Sequence, residues 1–295
     1  LSLKPEDVIR IEYHDEPSLR YGDNVAAVLN YIVRRHQTGG YIGINADIPM
    51  SCIWGNNNVT AKINHKKSEW GINYYGGYRS FKNYWRENSE TFNFENDPSF
   101  TRVEEGIPDK VKMHRDNLTM SYSYQEEEKW FINVALRGNF RGNKQNTQST
   151  LYPISNPANS VEMKDYTGSN SKSPSLDIYL QRNLKHNQAI ILNTVGTYIH
   201  TYDDRTYEEK KHSDIVTDIY SAIRGKKYSF IGEGIYEKRF TNSKFSTGIR
   251  HQQSLTENRY AGTSSAETQM QEAYTSTYVE YSCKVKKFNY SLGLQ

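Results

Sequence analysis

The sequence has few of the residues that build disulfide frameworks or metal sites. It contains only two cysteines, Cys52 and Cys283, and they lie far apart. They form no CxxC pattern, and the eight histidines lack the spacing of metal ligands. These absences exclude a disulfide-rich domain and a zinc module, and they leave open one long-range bridge or two unrelated thiols. We expect no metal and no cofactor.

Long apolar runs and an excess of one charge are also missing. The longest apolar runs, such as residues 189–192, have the length of a strand, whereas a spanning helix needs roughly 18 to 20 apolar residues. A membrane role would therefore require a barrel, because only helices and closed barrels satisfy their backbone in lipid. The net charge is +3, from 37 basic and 34 acidic residues. This balance argues against nucleic acid as a partner.

Aromatic residues, by contrast, are abundant. The chain of 295 residues has 24 Tyr, 10 Phe and 4 Trp, although its mean hydropathy is −0.85. Disordered chains are usually poor in aromatics, so disorder does not fit. A polar average with many aromatics is typical of a sheet with one wet and one dry face, and of the aromatic girdles of a membrane barrel.

The pattern of hydrophobic residues has a period of two from Tyr41 to the end. Around residues 129–139, one predicted face carries Trp130, Ile132, Val134 and Leu136, and the other carries Phe131, Asn133, Ala135 and Arg137. We predict an all-β fold, a partial antiparallel transmembrane β-barrel of about 12 strands, preceded by a short α/β segment.

Polar stretches between these strands alternate in length. We predict short turns at residues 55–57, 125–128, 185–187, 225–227 and 284–286, and long loops at 144–172, 203–212 and 256–267. The stretch of residues 86–112 is also predicted to be a long connection that holds strands of its own. Short periplasmic turns and long extracellular loops are the layout of outer-membrane barrels.

The segment 7–35 resembles the last part of the plug domain in TonB-dependent outer-membrane receptors. In that family, a strand of the form I-x-x-I-E-V precedes P-x-x-x-x-Y-G, small residues and then I-N-I-x-T-K. The corresponding residues here are Ile11 and Glu12, then Pro17, Arg20, Tyr21 and Gly22, then Asn30. The form P-S-x-R-Y-G is closest to the Bacteroidetes branch, although Ala26 and Ala27 stand where the family usually has glycines.

Residues 272–294 resemble a mid-barrel hairpin of the same branch. Together the two resemblances imply that residues 1–38 are the end of a plug and residues 39–295 the N-terminal half or more of the barrel, within a longer precursor. They also imply uptake of a scarce nutrient, such as a siderophore or glycan, in the cell outer membrane. The partners would be outer-membrane lipid, the TonB complex and this unknown ligand, and no enzymatic activity is expected.

Two sets of side chains are candidates for further contacts. Tyr75, Tyr78, Phe81, Tyr84 and Trp85, with Tyr74, would form either an interface girdle or a platform for stacking a ligand. Near the predicted loops lie four cations that could meet lipopolysaccharide or an anionic ligand, or be solvated: Arg141, Lys144, Arg205 and Arg250. His200, Asp203 and Asp204 could contact a ligand or cation.

Two other classes of protein stay open at this point. One is a soluble or cell-surface β-rich module that binds carbohydrate or acts as an adhesin, and the other is a β-rich glycoside hydrolase. A soluble fold should bury its apolar rows between two sheets, whereas a barrel should turn them outward. The direction faced by the row from Trp130 to Leu136 therefore distinguishes the two.

Overall fold

The computed structural model describes residues 8–14, 27–33, 38–49, 53–95, 98–126, 129–285 and 288–295. All regular secondary structure in these ranges is β, and none of their residues forms a helix that could cross a membrane. The strands are β1 Val8–His14, β2 Val28–Val33, β3 Thr38–Asp47, β4 Ile53–His65, β5 Ser68–Tyr84, β6 Glu87–Phe92, β7 Phe100–Ile107, β8 Asp109–Glu126, β9 Trp130–Pro153, β10 Val161–Lys172, β11 Ser175–Leu184, β12 Gln188–Lys211, β13 Asp214–Arg239, β14 Ser243–Gly262, β15 Ala266–Val285 and β16 Phe288–Leu294.

Strands β3 to β16 form one 14-stranded sheet, in which every paired strand is antiparallel to its neighbour. When strands that continue one another are counted together, each strand lies beside those that precede and follow it in the chain, so the sheet is an up-and-down meander. Its described path ends at β3 on one side and at β16 on the other. The predicted all-β, antiparallel, partial-barrel fold class is confirmed.

Three pairs of strands are the two halves of one longer strand. β7 and β8 pair with successive parts of β9 and are separated only by Pro108. In the same way, β5 pairs with β8 and its continuation β6 pairs with β7. β10 and β11 are separated by Ser173 and Pro174, which still bond to the flanking strands. Because proline has no N–H to donate, the breaks at Pro108 and Pro174 fall where the ladder loses a bond. Counting each pair once, the 14 strands make 11 passes, close to the predicted number.

A separate two-stranded sheet precedes the meander. β1 and β2 pair antiparallel, and Glu12 lies directly opposite Asn30. The two strands predicted from the sequence are thus formed. Much of the rest of the predicted α/β segment lies outside the described residues, and its assignment to a plug stays a prediction.

The two faces of the meander differ sharply in character. Residues opposite one another across strands share a face, and the register places Ile72, Met120, Leu136 and Leu176 in one cross-strand row. The adjacent row on the other face carries Asn73, Thr119, Arg137 and Ser175. We call the first the outer face and the second the inner face.

Burial is greater on the inner face, as on the concave side of a curved sheet. The buried polar residues on this face are Asn64, Glu104, Thr147, Ser149, Glu233, Glu237, Ser246 and Ser254. A small apolar cluster also lies there, formed by Ile191, Ile235, Tyr278 and Tyr179. Exposed apolar side chains on the outer face include Ile63, Trp70, Ile72, Met120, Leu136, Ile190, Leu192, Phe230 and Ile249. This distribution is the reverse of that in a soluble protein.

The predicted connections are only partly correct. Turns do occur at Lys185–Asn187 and near Glu126, but residues 55–57 lie inside β4 and residues 225–227 inside β13. The predicted long loops are also wrong, because most of residues 144–172, 203–212 and 256–267 lie in β9, β10, β12, β14 and β15. β12 and β13 are joined by a tight turn at His212 and Ser213, where His212 has a φ of 56°.

Candidate functional site

An apolar band crosses the outer face, and it occupies paired positions on neighbouring strands. On β9 it runs from Trp130 to Phe140, and on β12 from Ile190 to Tyr198. On β13 it runs from Tyr228 to Tyr236, which pair with Tyr198 and Ile190 respectively. A tilted strand needs roughly 9 to 11 residues to cross the hydrocarbon core of a membrane, and each of these stretches has that length.

Aromatic rings mark both edges of this band. At the edge near the short turns, Trp70 and Tyr122 lie with ring centroids 4.3 Å apart, and the guanidinium of Arg182 lies 5.0 Å from the Trp130 ring. At the other edge, Tyr198 and Tyr228 are 4.9 Å apart. Rings of this kind, with one apolar and one polar side, are characteristic of the boundary between lipid and water.

Behind the band, the inner face is a network of polar side chains. Asn133 donates to the Ser123 hydroxyl at 2.8 Å, and Asn139 donates to Asn117 at 2.6 Å. Arg137 and Asp177 form an ion pair. A cavity of about 360 Å³ opens beside them, where the break at Pro174 separates β10 from β11. The inner face therefore offers hydrogen-bonding groups at the depth where the outer face offers hydrocarbon, beside the apolar cluster that contains Ile191 and Ile235.

The strands continue well past the band on the side away from the short turns. β9 and β12 each have 24 residues and β13 has 26, so these three extend far beyond Phe140, Tyr198 and Tyr228. We call this side the extended end, and the side with turns such as Lys185–Asn187 the turn end. Both faces carry many polar side chains at the extended end, although β13 also exposes Ile215, Ile219 and Ile223 there, and the strands remain paired through their hydrogen-bonded ladder.

A charged cluster occupies the inner face of the extended end. Glu104, only 8% exposed, accepts three hydrogen bonds from the Arg86 guanidinium and one of 2.7 Å from the Ser149 hydroxyl. Arg205 forms two bonds of 2.9 Å with Asp165 on the same face. Hydrogen bonding to the carboxylates raises the pKa of both guanidinium groups above its usual value. We call these five residues, with those of the next paragraph, the inner charge cluster.

Arg102, Tyr207 and Glu209 complete the inner charge cluster. Arg102 lies 3.6 Å from a Glu209 carboxylate oxygen, which also accepts a hydrogen bond from the Tyr207 hydroxyl. Burial, and then the bond to Glu209, raise the pKa of Tyr207. Each acid in the cluster thus has a basic partner, and the cluster fixes β7, β9, β10 and β12 relative to one another.

The predicted aromatics are divided between the two faces. Tyr74 and Tyr78 lie on the outer face of β5, whereas Tyr75 and Phe81 lie on the inner face, where Tyr75 donates to Asn56 at 2.9 Å. Tyr84 ends β5 and the exposed Trp85 follows it. The structure therefore does not bring the five into one surface.

The predicted plug residues are only partly described. Ile11 is exposed on β1, and Glu12 and Asn30 are opposed in the hairpin. Pro17, Arg20, Tyr21 and Gly22 lie outside the described residues.

The register also separates the candidate polar residues. Of the four cations near predicted loops, only Lys144 lies on the outer face, whereas Arg141, Arg205 and Arg250 lie on the inner face. His200 and Asp204 lie on the outer face and Asp203 on the inner, so the three do not converge. No group of three or more His, Cys, Asp or Glu among the described residues could hold a metal ion, and Cys283 is a free thiol.

Two solved structures resemble this arrangement of strands. They are the ferric yersiniabactin uptake receptor FyuA from Yersinia pestis, with 8% identity and a TM-score of 0.44, and the siderophore receptor PiuA from Acinetobacter baumannii, with 10% identity and a TM-score of 0.36. The similarity covers 95% and 94% of this chain, which spans about half of each receptor, 50% and 52%. No family model and no curated protein matches the sequence.

Of the inner charge cluster, sequence reasoning singled out only Arg205 and missed the other seven residues. Glu104 and Ser149 are separated by 45 positions and fall in stretches that were predicted to be loops. The available signal was the unusual density of charged residues at positions 86–112, which a solvated loop does not require.

Proposed function

We propose that this chain forms part of the wall of an outer-membrane receptor of the TonB-dependent type, which takes up a scarce nutrient such as a siderophore or glycan. The observation that carries the proposal is the reversal of the two faces. An apolar band lies outside on β5, β8, β9, β11, β12 and β13, aromatic rings flank it, and polar side chains line the inside. This is the requirement for a sheet that lines a water-filled passage through lipid.

The orientation follows from how far the strands extend past the band on one side. Bacterial barrels have short periplasmic turns and longer extracellular projections, so the turn end would face the periplasm and the extended end the exterior. The inner charge cluster would then stand at the outer mouth, where it holds the projecting strands in place. The polar inner face beneath it would form part of the path of the solute.

The plug and the TonB complex enter the proposal through the resemblance of residues 7–35. The hairpin of β1 and β2, with Glu12 opposite Asn30, is compatible with the strand pair expected at the end of a plug. In this proposal the hairpin lies inside the barrel or at its periplasmic mouth, and coupling to the inner membrane belongs to the full-length receptor.

Fractionation of the source cells tests the proposal. An antibody against residues 129–285 should detect the full-length protein in the outer membrane, and the band should shift on boiling in detergent because a folded barrel resists unfolding. A substitution on the outer face, such as Leu136→Arg, should abolish the shift, whereas Thr197→Arg on the inner face should keep it.

A soluble or secreted protein without a shift would refute the proposal and favour the carbohydrate-binding or adhesin module. An outer-membrane protein that shifts on boiling, but whose deletion leaves uptake of every iron chelate and glycan unchanged, would keep the barrel and refute the receptor.

A further inference from the structure

Two arginines lie directly opposite each other on the inner face, next to the cavity at Pro174 and on its extended side. They are Arg115 on β8 and Arg141 on β9. Arg141 follows Phe140, the last ring of the apolar band on β9, so the two arginines stand at the depth of that edge of the band. We call Arg115 and Arg141 the arginine pair.

The arginine pair has no acidic partner in the part of the chain that the structure describes. Neither residue forms an ion pair there, and both side chains are exposed. The inner-face positions that adjoin the pair along and across the strands are all neutral: Gly77, Met113, Asn117, Asn139, Asn143 and Ser171. Arg79 lies opposite Met113, diagonally beside Arg115, and adds a third positive charge. By contrast, every arginine of the inner charge cluster has a carboxylate partner.

Like charges directly opposite each other across two strands destabilise a sheet, because their Cβ atoms are about 5 Å apart. An anion bound between the two guanidinium groups would remove this repulsion. Guanidinium groups bind carboxylates and phosphates through two parallel N–H···O bonds. The arrangement therefore favours an oxyanion as the group that binds at the arginine pair.

Hydrogen bonds hold one member of the pair at the edge of the cavity. Asn139 donates to the side-chain oxygen of Asn117 at 2.6 Å, and its own oxygen accepts the Nε–H of Arg141 at 3.1 Å. The two terminal amino groups of Arg141 have no partner among the described residues and remain available to a ligand. Asn117 and Asn139 also line the cavity, so a ligand in the cavity lies within reach of the arginine pair.

The cavity itself suits a small hydroxylated molecule. Its volume of about 360 Å³ is at the lower end of the range of ligand pockets, roughly 300–1,000 Å³. The lining includes the apolar side chain of Ile199 and the hydroxyls of Thr119, Ser175 and Thr197. A hydroxyl both donates and accepts hydrogen bonds, as the hydroxyls of a sugar also do. Arg137, which lines the cavity too, is already paired with Asp177.

We infer that the cavity and the arginine pair together bind a small sugar that carries one oxyanion, either a sugar acid or a sugar phosphate. The inference rests on the proposed function and names the class of solute that the receptor takes up. The oxyanion would lie between Arg115 and Arg141, and the hydroxyls of the sugar would bond within the cavity. A solute that enters from the extended end would pass the inner charge cluster, whose charges are already paired, before it reaches the arginine pair.

The test uses the full-length protein, purified from membranes in detergent, and isothermal titration calorimetry. The probes are glucose 6-phosphate, glucuronate, glucose and inorganic phosphate. Wild-type protein should bind at least one of the two sugar anions more tightly than it binds glucose or inorganic phosphate. The preferred sugar anion shows whether the oxyanion is a phosphate or a carboxylate. The absence of any preference over glucose and inorganic phosphate would refute the inference.

The variant Arg115→Gln/Arg141→Gln should bind the preferred sugar anion about 100-fold more weakly, because each charge-assisted hydrogen bond contributes about tenfold. Its affinity for glucose should not change. The matched control is Lys112→Gln/Lys144→Gln, which removes the same charge from a directly opposed pair on the outer face of the same two strands. The control should bind as the wild type does. An equal loss in both variants would refute the site in favour of net charge alone.

Thr197→Val tests the cavity separately from the arginine pair. This variant removes one hydroxyl of the lining and should weaken binding of the sugar anion about fivefold, whereas binding of inorganic phosphate should stay the same. An unchanged affinity for the sugar anion would contradict the part assigned to the cavity.

The shift on boiling separates this inference from the proposed function. All variants should keep the shift, which would show that a loss of affinity is not a loss of fold. If the wild type shifts in the outer-membrane fraction but binds neither sugar anion, the site is refuted and the proposed function stands. If the wild type is soluble and does not shift, the proposed function is refuted, whatever the protein binds.

Discussion

Replacing Glu104 by Gln should loosen the extended end without affecting the apolar band. The Glu104 carboxylate is 8% exposed and accepts bonds from Arg86 and from Ser149. Removing one partner of a buried ion pair costs about 3–5 kcal/mol. The Arg86 side chain is 47% exposed, so water can solvate its charge, and the amide still accepts hydrogen bonds. We therefore expect a loss of about 2 kcal/mol.

The expected loss is local, because the ion pair joins Arg86, between β5 and β6, to β7, and the Ser149 bond joins β7 to β9, all at the extended end. Hydrogen–deuterium exchange should report it directly, since amide protection follows the free energy of local opening. Peptides that cover residues 100–107 should exchange about 30-fold faster in Glu104→Gln than in the wild type, whereas those that cover residues 188–198 should be unchanged.

Glu90→Gln is the matched control. Glu90 pairs with Arg102 at 3.3 Å, but its side chain is 48% exposed, and exposed pairs contribute about 0–1 kcal/mol. Its exchange rates should therefore stay within about fivefold of the wild type. If Glu104→Gln has no more effect than Glu90→Gln, the inner charge cluster does not hold the strands together and the reasoning from burial is wrong.

Three further predictions concern other parts of the sheet. Leu136→Arg on the outer face should cost about 2–4 kcal/mol in urea unfolding from lipid vesicles, whereas Thr197→Arg, which lines the inner cavity, should cost under about 1 kcal/mol; equal costs would contradict the assignment of faces. Gly106→Ala should destabilise the joint between β5 and β6, because its Cβ would lie 2.4 Å from the Arg86 carbonyl oxygen, whereas Gly196→Ala should be neutral because nothing lies within 4 Å of its Cβ; thermal unfolding of the two variants would show the difference. The raised pKa of Tyr207 means that its contribution to stability is complete below the unfolded pKa of about 10 and is lost as pH rises toward the folded pKa; stability measured from pH 9 to 11 should fall less steeply in Tyr207→Phe, and parallel curves would contradict this.

The extent of agreement between sequence and structure differs between the two ends of the sheet. Around Trp130 to Leu136, alternation of apolar and polar residues is visible in the sequence because lipid and water impose opposite demands on successive side chains. Past Phe140 both faces meet water, and a run such as residues 145–150, which is Gln, Asn, Thr, Gln, Ser and Thr, has no period to detect. The strands persist there because their backbones pair with distant partners.

The charged cluster was unpredictable for a related reason. The Ser149–Glu104 bond depends on the register of β7 against β9, in which Gly106 lies opposite Ser149. That register includes an offset of one residue at Pro108, because β7 and β8 pair with β9 in registers that differ by one residue. A sequence pattern fixes which residues alternate, but it does not fix such an offset, so the partners of Glu104 could not be inferred.

The predicted aromatic group shows the same limit on a smaller scale. Tyr74, Tyr75 and Tyr78 are close in sequence, but the pleat sends Tyr75 to the opposite face from the other two. Successive side chains of a strand point to opposite faces, so the separation of Tyr75 from Tyr74 and Tyr78 follows from their odd and even positions in the strand.

The order of the meander, in which each pass pairs with the passes before and after it, makes the hairpin the natural unit of variation for this architecture. A hairpin gained or lost leaves the direction and parity of all other strands unchanged, so every remaining side chain keeps its side of the wall. Only the circumference changes. Loss of a single strand would instead reverse the direction of every strand that follows, and would exchange the ends to which their turns belong. Barrels built on this plan can therefore change their diameter in steps of two strands, while apolar side chains still face lipid and polar side chains still face water.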